Sequence, residues 1–399
     1  MGQIRVLIVD DSAFMRHSLS RLLKDAPGIE VVGEASNGEE GLRRADTLRP
    51  DVITLDVEMP VLDGLGMLKR LMLETPTRVV MLSSRTTEHA QATLDALDYG
   101  AIDFVPKPSG SLSIDIGQVG VDLVSKITAA AGMSETAFLH HRKVAVTNLT
   151  VLDSQARLDA AMRRPAPAQT DVAGEPRTRT VPVPPERGRM GSQPAGPRVA
   201  ARKLVVIASS TGGPTALHTV VKGLPPELGA AVAIVQHMPP GFTASLAARL
   251  DAIGGPACKE AAPNDVLIED AILVAPGGYH LICSSTGHVQ LVCLPAVNGV
   301  RPAADVTLEA VAPIWRERLL CVVLTGMGCD ATDGARAVKQ HGGSVISQDA
   351  ATATMYGMPA AVADAGLSDR ILPLHQIADG IVAWCASGRP ADRTANAAS

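Results

Sequence analysis

Short apolar runs alternate with amphipathic segments along the first 131 residues, and this alternation constrains the fold more than any other feature of the chain. The runs are apolar at successive positions, which is typical of strands whose two faces are both covered by helices. Repeated strand–helix units of this kind predict a doubly wound parallel α/β sheet with strand order 2-1-3-4-5. The predicted strands lie at residues 6–9, 31–32, 52–55, 79–82 and 102–105.

The same alternation returns after a change in composition. Residues 132–202 are rich in proline, arginine and alanine, with no sustained periodicity, so we expect a semi-flexible interdomain linker. From residue 203 to residue 388, apolar runs and helical patterns predict a second, Rossmann-like α/β domain. We expect residues 389–399 to form a disordered tail. The chain is thus predicted to hold two α/β domains, at 1–131 and 203–388.

Composition and charge exclude several classes of protein. A formal net charge of −5 and a pI near 6.1 give no basic footprint, so we expect no nucleic-acid partner. No stretch approaches the ~20 apolar residues of a membrane span, so we expect no membrane insertion. The 6 cysteines form no CxxC pair, and several lie inside apolar runs. We interpret them as reduced thiols of a cytoplasmic protein, and the strand pattern at the N-terminus leaves no room for a signal peptide.

Three aspartates follow predicted strands of the first domain. Asp10 and Asp11 come directly after the first strand, and Asp56 ends the third. These two strands are neighbours where the winding reverses, and the carboxyl ends of strands form the ligand crevice there. Like charges this close repel unless a cation lies between them, and hard oxygen ligands favour Mg²⁺. We therefore predict a magnesium site, with Asp56 as a nucleophile that forms an acyl phosphate.

Two further positions at the same edge suit a phosphoryl group. Lys107 follows the fifth predicted strand and could neutralise the transferred phosphoryl oxygens. Ser83 or Ser84, after the fourth strand, could donate a hydroxyl hydrogen bond to the new phosphate. Each aspartate alone is more simply explained as a solvated loop acid. Three of them at neighbouring strand ends, together with the lysine, favour phosphoryl transfer.

With these residues in these places, the first domain resembles a response-regulator receiver domain. The resemblance implies a flavodoxin-like fold, Mg²⁺ as the cofactor and phosphorylation of Asp56, with a histidine kinase as the phosphodonor. It implies a switch hydroxyl at Ser83, a switch aromatic residue at Phe104 and a phosphate-binding amine at Lys107. The implied metal ligands are Asp10, Asp11, Asp56 and the backbone carbonyl of Glu58.

A turn of small residues follows the first strand of the second domain. It reads Ser209-Ser210-Thr211-Gly212-Gly213-Pro214 and leads into a helix, with proline near the first helical position, where it is favoured. A serine here lies beside the free N–H groups of the helix start, which suits a nucleophile whose transition state carries an oxyanion. A glycine-bearing turn before a helix can equally cradle phosphate. The turn alone favours neither function.

Two other strand ends supply the remaining parts of a serine hydrolase. His237 closes one predicted strand, and Asp330 lies in a glycine-bearing loop after another. One crevice can gather them with Ser210, where His237 takes the hydroxyl proton and Asp330 stabilises the imidazolium. Each also has a simpler interpretation, because His237 could be a packing residue and Asp330 or Asp333 could cap the following helix. Three competing histidines have weaker surroundings: His280, His341 and His375.

Four segments of the second domain are similar to the catalytic domain of the chemotaxis protein-glutamate methylesterase (CheB) family. They lie at residues 208–214, 236–242, 298–302 and 324–330. The resemblance implies Ser210 as nucleophile, His237 as base and Asp330 as the acid that orients the base. The backbone N–H groups of Met327 and Thr211 are the expected oxyanion donors, and we expect no cofactor for this domain.

The implied activity is hydrolysis of glutamate methyl esters, and deamidation of glutamines, on the cytoplasmic helices of methylated chemoreceptors. We expect the unphosphorylated receiver to cover Ser210, and phosphorylation of Asp56 to shift the population to an open form. Two alternatives stay open. One is a non-catalytic protein that binds a partner according to its phosphorylation, and the other is the same chemistry on a receptor of a non-chemotactic pathway.

The chain departs from the family pattern beside the nucleophile and beside the triad acid. It has Ala208-Ser209 where the family has glycine followed by alanine or cysteine, and Ala331 where the family prefers glycine. If position 208 needs a positive φ, alanine there is strained. The Ser209 hydroxyl is expected to point to the opposite face of the strand from Ser210.

Overall fold

The structure is a computed structural model of the chain, and it describes residues 2–84, 87–107, 113–162 and 201–387. Most of the expected linker and the expected tail lie outside these residues. Two parallel sheets, each flanked by helices, form the two expected α/β domains. Of the helices in this described part, none combines the length and the apolar character that a membrane crossing requires.

The first domain is a five-stranded parallel sheet in the predicted order, β2-β1-β3-β4-β5. The central strands are apolar on both faces and buried, which confirms the prediction of helices on each side. In chain order its elements are β1 (Ile4–Val9), α1 (Ala13–Lys24), β2 (Ile29–Ala35), α2 (Gly38–Leu48), β3 (Val52–Asp56), α3 (Gly64–Glu74), β4 (Arg78–Ser83), α4 (Thr87–Asp98), β5 (Asp103–Pro106) and α5 (Ser113–Gly132).

Side-chain caps begin several of these helices. The Asn37 side chain accepts a hydrogen bond from the Glu40 N–H at the start of α2, and Glu40 in turn accepts one from the Ser36 N–H. Asp63 accepts a hydrogen bond from the Gly66 N–H at the start of α3. Such reciprocal caps satisfy N–H groups that have no partner inside the helix. They fix the short loops at the carboxyl edge of the sheet.

A long helix, α6 (Glu135–Met162), occupies the first part of the segment predicted to be an extended linker. The prediction is therefore wrong for residues 135–162. Ala137, Phe138 and Ala145 are buried, and the Arg142 side chain donates a hydrogen bond to the Met72 carbonyl on α3. Small and apolar residues at helical spacing pack α6 on the receiver. The prediction missed this helix because it judged the whole segment by the proline-rich composition of its later part.

The second domain is a seven-stranded parallel sheet with order β14-β13-β12-β6-β7-β9-β8. The winding direction reverses at β6, which is where ligand crevices form in open α/β sheets. Its elements are β6 (Leu204–Ser209), α7 (Gly213–Lys222), β7 (Ala231–Gln236), α8 (Phe242–Asp251), β8 (Ala257–Glu260), β9 (Ala271–Val274), β10 (His280–Cys283), β11 (Val289–Val292), α9 (Ala304–Trp315), β12 (Leu319–Val323), α10 (Thr332–Gln340), β13 (Ser344–Gln348), α11 (Met358–Asp364), β14 (Arg370–Leu372) and α12 (Leu374–Ala386).

A separate antiparallel hairpin accompanies this sheet. It pairs β10 with β11, so the apolar run at residues 289–292 forms a strand outside the main sheet. The short edge strands β8 and β14 have partly exposed, mixed sequences, and periodicity alone did not predict them. The Rossmann-like architecture is confirmed.

Glycine is required at one position next to the end of β3, where Asp56 lies. A Cβ atom added at Gly64 would lie 1.9 Å from the Asp56 backbone oxygen. We therefore expect Gly64→Ala to lower the free energy of unfolding of the receiver by about 1–3 kcal/mol, because the overpacked backbone must shift. Urea denaturation followed by circular dichroism measures this change. Gly132→Ala is the matched control, since nothing lies within 4 Å of its added Cβ; equal stability of both variants would contradict the packing argument.

Candidate functional site

Three carboxylates meet at the carboxyl edge of the first sheet. Asp10 and Asp11 follow β1, and Asp56 ends β3, which pairs with β1. Asp10 and Asp56 are buried and Asp11 is exposed, and one oxygen atom of each lies within 4.8 Å of the others. Glu58 is in the loop that follows β3. Hard oxygen donors at this spacing fit Mg²⁺, which uses one or two carboxylates and keeps water and phosphate as its other ligands.

Lys107 lies between two of these carboxylates. Its Nζ is 2.8 Å from Asp10 Oδ2 and 2.6 Å from Asp56 Oδ2. Burial raises the pKa of Asp56 to about 6, although the hydrogen bond and charge of Lys107 act to lower it. Burial lowers the pKa of Lys107, but its contacts with the two aspartates outweigh burial and leave that pKa raised. The amine is therefore held cationic beside the predicted phosphorylation site.

The expected switch residues lie near this cluster and extend toward the second domain. Ser83 ends β4, is buried, and its hydroxyl accepts a hydrogen bond from the Thr93 hydroxyl on α4 (2.5 Å). Phe104 in β5 is buried, and its ring stacks on Phe242 of α8, with 4.6 Å between the ring centroids. The aromatic residue of the receiver thus contacts the other domain directly.

Three neighbouring strands, β12, β6 and β7, bring the predicted hydrolase residues to one edge of the second sheet. Ser210 directly follows β6, His237 directly follows β7, and Asp330 lies in the loop between β12 and α10. Backbone hydrogen bonds join these loops. The Ser210 N–H donates to the Thr325 carbonyl, and the His237 N–H donates to the Ser209 carbonyl, both at 3.0 Å.

His237 and Asp330 form a short, buried pair. The distance from His237 Nε2 to Asp330 Oδ2 is 2.6 Å, and the two side chains are 8% and 2% exposed. Asp330 also accepts hydrogen bonds from the Ala304 and Asp305 N–H groups, at 2.6 and 2.9 Å. Burial acts to raise the pKa of Asp330, but His237 and these N–H groups outweigh it and leave the pKa lowered. The carboxylate stays charged, and the ring presents Nδ1 on its other side.

Gln236 joins the Ser210 and His237 backbones, and the sequence analysis missed it. Its Nε2 donates hydrogen bonds to the Ser210 carbonyl (2.9 Å) and the His237 carbonyl (3.1 Å). Ser209 is buried, and its hydroxyl donates a hydrogen bond to Gln236 Oε1 (2.7 Å). That it points to the opposite face of the strand from Ser210 stays a prediction. A polar residue that ends an apolar strand beside a histidine was the available signal. Within the described part of the chain, the Ser210 hydroxyl makes no hydrogen bond, so the link to His237 remains a prediction.

The competing interpretations of these residues find less support. Asp330 does not cap the helix that follows it, because Ala331 is the N-cap of α10 and makes no side-chain cap. His280 is buried and packs through hydrogen bonds to the Ala303 N–H and the Pro295 carbonyl. His341 bonds a helix carbonyl, and His375 is exposed on α12. Among the histidines of the described residues, only His237 pairs with a carboxylate within 4.0 Å.

Both expected oxyanion residues contact the receiver. The Thr211 hydroxyl donates a hydrogen bond to the Asp103 carboxylate at the start of β5. Met327 is 38% exposed, and its Sδ lies 3.3 Å from the Ser125 hydroxyl on α5. The receiver thus touches the residue after Ser210 and the loop before Asp330.

An ion-pair cluster joins the same two domains beside the aromatic stack. Arg249 on α8 binds Asp95 (2.9 Å) and Asp98 on α4. Burial raises the pKa of Asp98, and the charges of Arg249 and His218 act to lower it. A cluster of buried apolar residues also continues from one domain into the other. Apolar and ionic contacts therefore hold the receiver against the hydrolase domain.

The departures from the family pattern have different consequences. Ala208 lies in the extended strand β6, so glycine is not required there. Ala331 has φ 78°, a left-handed conformation that costs a residue with a Cβ about 1–2 kcal/mol. Of the departures at 208 and 331, only Ala331 therefore has a strained backbone.

The Asp56 carboxyl of the metal-free protein is expected to titrate near pH 6, and Mg²⁺ should lower that pKa because a cation favours the carboxylate. Since folding raises this pKa from 3.8, its contribution to stability is present below pH 3.8 and is lost as the pH rises through about 6. Carbon NMR of labelled aspartate carboxyls, with Asp56→Asn for assignment, measures both effects. A metal-free pKa of 3.8 would overturn the expectation.

Comparison with known proteins identifies both domains. Residues 205–381 match the family described as CheB methylesterase, and residues 6–114 match the response regulator receiver domain. A protein-glutamate methylesterase/protein-glutamine glutaminase of Symbiobacterium thermophilum is 44% identical over 95% of this chain and 96% of its own length. Proteins of the same name from Geobacillus kaustophilus and Thermotoga maritima are 42% and 39% identical, over 96% and 95% of this chain and 99% and 98% of their own. The chain therefore belongs to the CheB family of protein-glutamate methylesterases/protein-glutamine glutaminases, with a receiver domain ahead of the methylesterase domain.

Proposed function

We propose that this chain hydrolyses glutamate methyl esters and deamidates glutamines on chemoreceptors, under control of phosphorylation at Asp56. The observation that carries the proposal is the buried His237–Asp330 pair, 2.6 Å long, at the strand edge where Ser210 also lies. A neutral imidazole held by a carboxylate, next to a serine at a helix start, suits acyl transfer.

Ser210 is proposed to attack the glutamyl carbonyl carbon while His237 Nδ1 takes the hydroxyl proton. Asp330 stabilises the imidazolium, because its carboxylate accepts the Nε2–H. The imidazolium then protonates the leaving group, so methanol departs from an ester and ammonia departs from an amide. Water attacks the acyl-enzyme with His237 again as the base, and the product is a free glutamate carboxylate.

The developing oxyanion is proposed to accept hydrogen bonds from the backbone N–H groups of Thr211 and Met327. Thr211 is next to the nucleophile, at the turn that leads into α7, where backbone N–H groups lack intrahelical partners. The Thr325 hydroxyl donates to the Thr211 carbonyl (2.9 Å), and this bond holds the turn against the loop after β12. Both donors therefore belong to loops already joined to each other.

Phosphorylation is proposed to weaken the contact between the domains. A chemosensory histidine kinase is the proposed phosphodonor. Asp10, Asp11, Asp56 and the Glu58 carbonyl would hold Mg²⁺, which would neutralise charge at the phosphoryl group when bound. Lys107 binds the phosphoryl oxygens, and Ser83 and Phe104 respond to them. Because Phe104 stacks on Phe242, a movement of this ring alters the interface. Coupling of this kind is typically worth about 1–3 kcal/mol, or about five- to 150-fold in population.

The proposed substrates are the methylated cytoplasmic helices of chemoreceptors, which also places the protein in the cytoplasm. Support comes from the names of its relatives and from the six cysteines, all of which are free thiols. A purely binding role would not require a buried His–Asp pair beside a serine, and the assay below separates the two functions.

Methanol release from methylated receptor tests the activity. Ser210→Ala should lower the rate by at least about 10³-fold, because the nucleophile is lost. A small-molecule phosphodonor should raise the rate of methanol release by the wild type, whereas the rate of Asp56→Ala should not change. Gas chromatography of released methanol gives the rates, and Ser285→Ala is the matched control, because Ser285 is an exposed serine between β10 and β11. Equal methanol release by wild type and Ser210→Ala would rule out the proposed nucleophile.

The Arg249 ion pairs make a second prediction. Arg249→Ala should raise the basal methylesterase activity of unphosphorylated protein by roughly three- to tenfold, since losing part-buried ion pairs worth about 1 kcal/mol loosens the closed form. The ratio of phosphorylated to unphosphorylated activity should fall by a similar factor. Arg70→Ala is the control, because the ion pairs that the described residues give Arg70 are with Glu39 and Glu74, both inside the receiver. Unchanged basal activity in Arg249→Ala would count against control by domain closure.

A further inference from the structure

Asp305 is a buried carboxylate beside the catalytic pair that the proposed mechanism does not use. It lies in the first turn of α9 and is 5% exposed. Burial raises the pKa of Asp305, the Gly334 N–H acts to lower it and the negative charge of Asp330 acts to raise it, and the net result is a pKa of about 7. Keeping such a group in the core is costly unless its hydrogen bonds are needed.

Two helix N-termini meet at this point, and each lacks a cap of its own. Ala303 is the N-cap of α9 and Ala331 is the N-cap of α10, and neither makes a side-chain cap. The N–H groups of a first helical turn have no intrahelical partner, and the helix dipole makes both ends positive. The buried N–H groups of these two helix starts need hydrogen-bond acceptors from elsewhere in the domain.

The carboxylates of Asp305 and Asp330 supply these caps reciprocally. Asp330, which precedes α10, accepts the Ala304 and Asp305 N–H groups of α9 at 2.6 and 2.9 Å. Asp305, on α9, accepts the Gly334 N–H of α10 at 2.7 Å. Each helix is therefore capped by an aspartate that belongs to the other.

The absence of a side chain at Gly334 allows this exchange. A Cβ atom added there would lie 2.6 Å from Leu308 Cβ and 3.2 Å from Asp305 Cα. The helices thus approach closely enough for one carboxylate to reach across to the other. The Asp330 carboxylate is left with its Oδ2 shared between the Ala304 N–H and His237 Nε2.

We propose that Asp305 is a positioning residue for the catalytic triad. Asp305 holds α10 against α9, and this contact fixes the Asp330 carboxylate that orients His237. The proposal rests on the proposed function, because it assigns Asp305 to the same triad. Asp305 acts through Asp330 and touches no reacting atom. What it supplies is an acceptor for the Gly334 N–H, so a neutral acceptor of the same shape should replace it.

Methanol-release kinetics on three full-length variants test this. Asp305→Ala should lower kcat by about 10- to 100-fold with KM within about twofold, because misplacing the base costs chemistry rather than binding. Asp305→Asn keeps an acceptor oxygen and should stay within about threefold of wild type. Asp333→Ala is the matched control, since Asp333 is an exposed first-turn acid of α10 that pairs with Arg336 and should leave kcat unchanged.

A second measurement does not depend on turnover. The proton shared by His237 Nε2 and Asp330 should give a low-field NMR signal in wild type, Asp305→Asn and Asp333→Ala, and a broadened or missing one in Asp305→Ala. Wild-type kcat in Asp305→Ala, or a tenfold loss in folded Asp305→Asn, would overturn the proposal, and the Asn variant decides it even if the Ala variant does not fold. If wild type releases no methanol, the proposed function fails, and the NMR signals still test the positioning role by themselves.

Discussion

Parallel strands all end at the same edge of a sheet, and both sites of this protein depend on that constraint. The order β2-β1-β3 makes the ends of β1 and β3 neighbours, so Asp10 and Asp56 meet. The order β12-β6-β7 does the same for the loops that carry Asp330, Ser210 and His237. Crossover helices keep both faces of each sheet dry, so polar side chains are concentrated at the strand ends. Two different chemistries therefore use one architecture, and each needs only short loops.

The sequence predicted a site residue when the local pattern of strand and polar residue indicated its role. It did not predict residues whose partners lie far away in the chain. The strand ends of both sheets were predictable because each apolar run stops at a polar residue with recognisable chemistry, such as Asp56 or His237. Gln236 and Asp305 were not, because their partners are backbone groups distant in the chain. Arg249 pairs across the domain interface, and no local pattern encodes the relative orientation of two domains.

The buried carboxyl groups of Asp330 and Asp56 have different partners, and their pKa values shift in opposite directions. Asp330 accepts two backbone N–H groups and the His237 ring N–H, which keep its pKa low despite burial, so it is charged whenever His237 needs a counter-ion. Asp56 has Lys107 as its partner, and burial still raises its pKa to about 6. A carboxylate in that state gains from a second cation. Mg²⁺ would therefore favour the charged form of Asp56, the proposed nucleophile of the receiver, whereas Asp330 is kept charged by groups of the protein.

One four-residue strand connects these two environments. Lys107, directly after β5, contacts Asp56, while Asp103 and Phe104 within β5 contact Thr211 and Phe242 of the hydrolase domain. β5 pairs with β4 along its whole length, so we expect a displacement at its carboxyl end to be transmitted to its other residues. The contact with Thr211 lies directly beside Ser210, the proposed nucleophile. Separation of the domains would therefore change two things together: the access of a protein substrate to Ser210, and the restraint on a backbone group proposed to bind the oxyanion. Substrate size separates these two effects. A small ester needs little access to Ser210 but still requires the oxyanion donors, so only the second effect should change the rate of its hydrolysis.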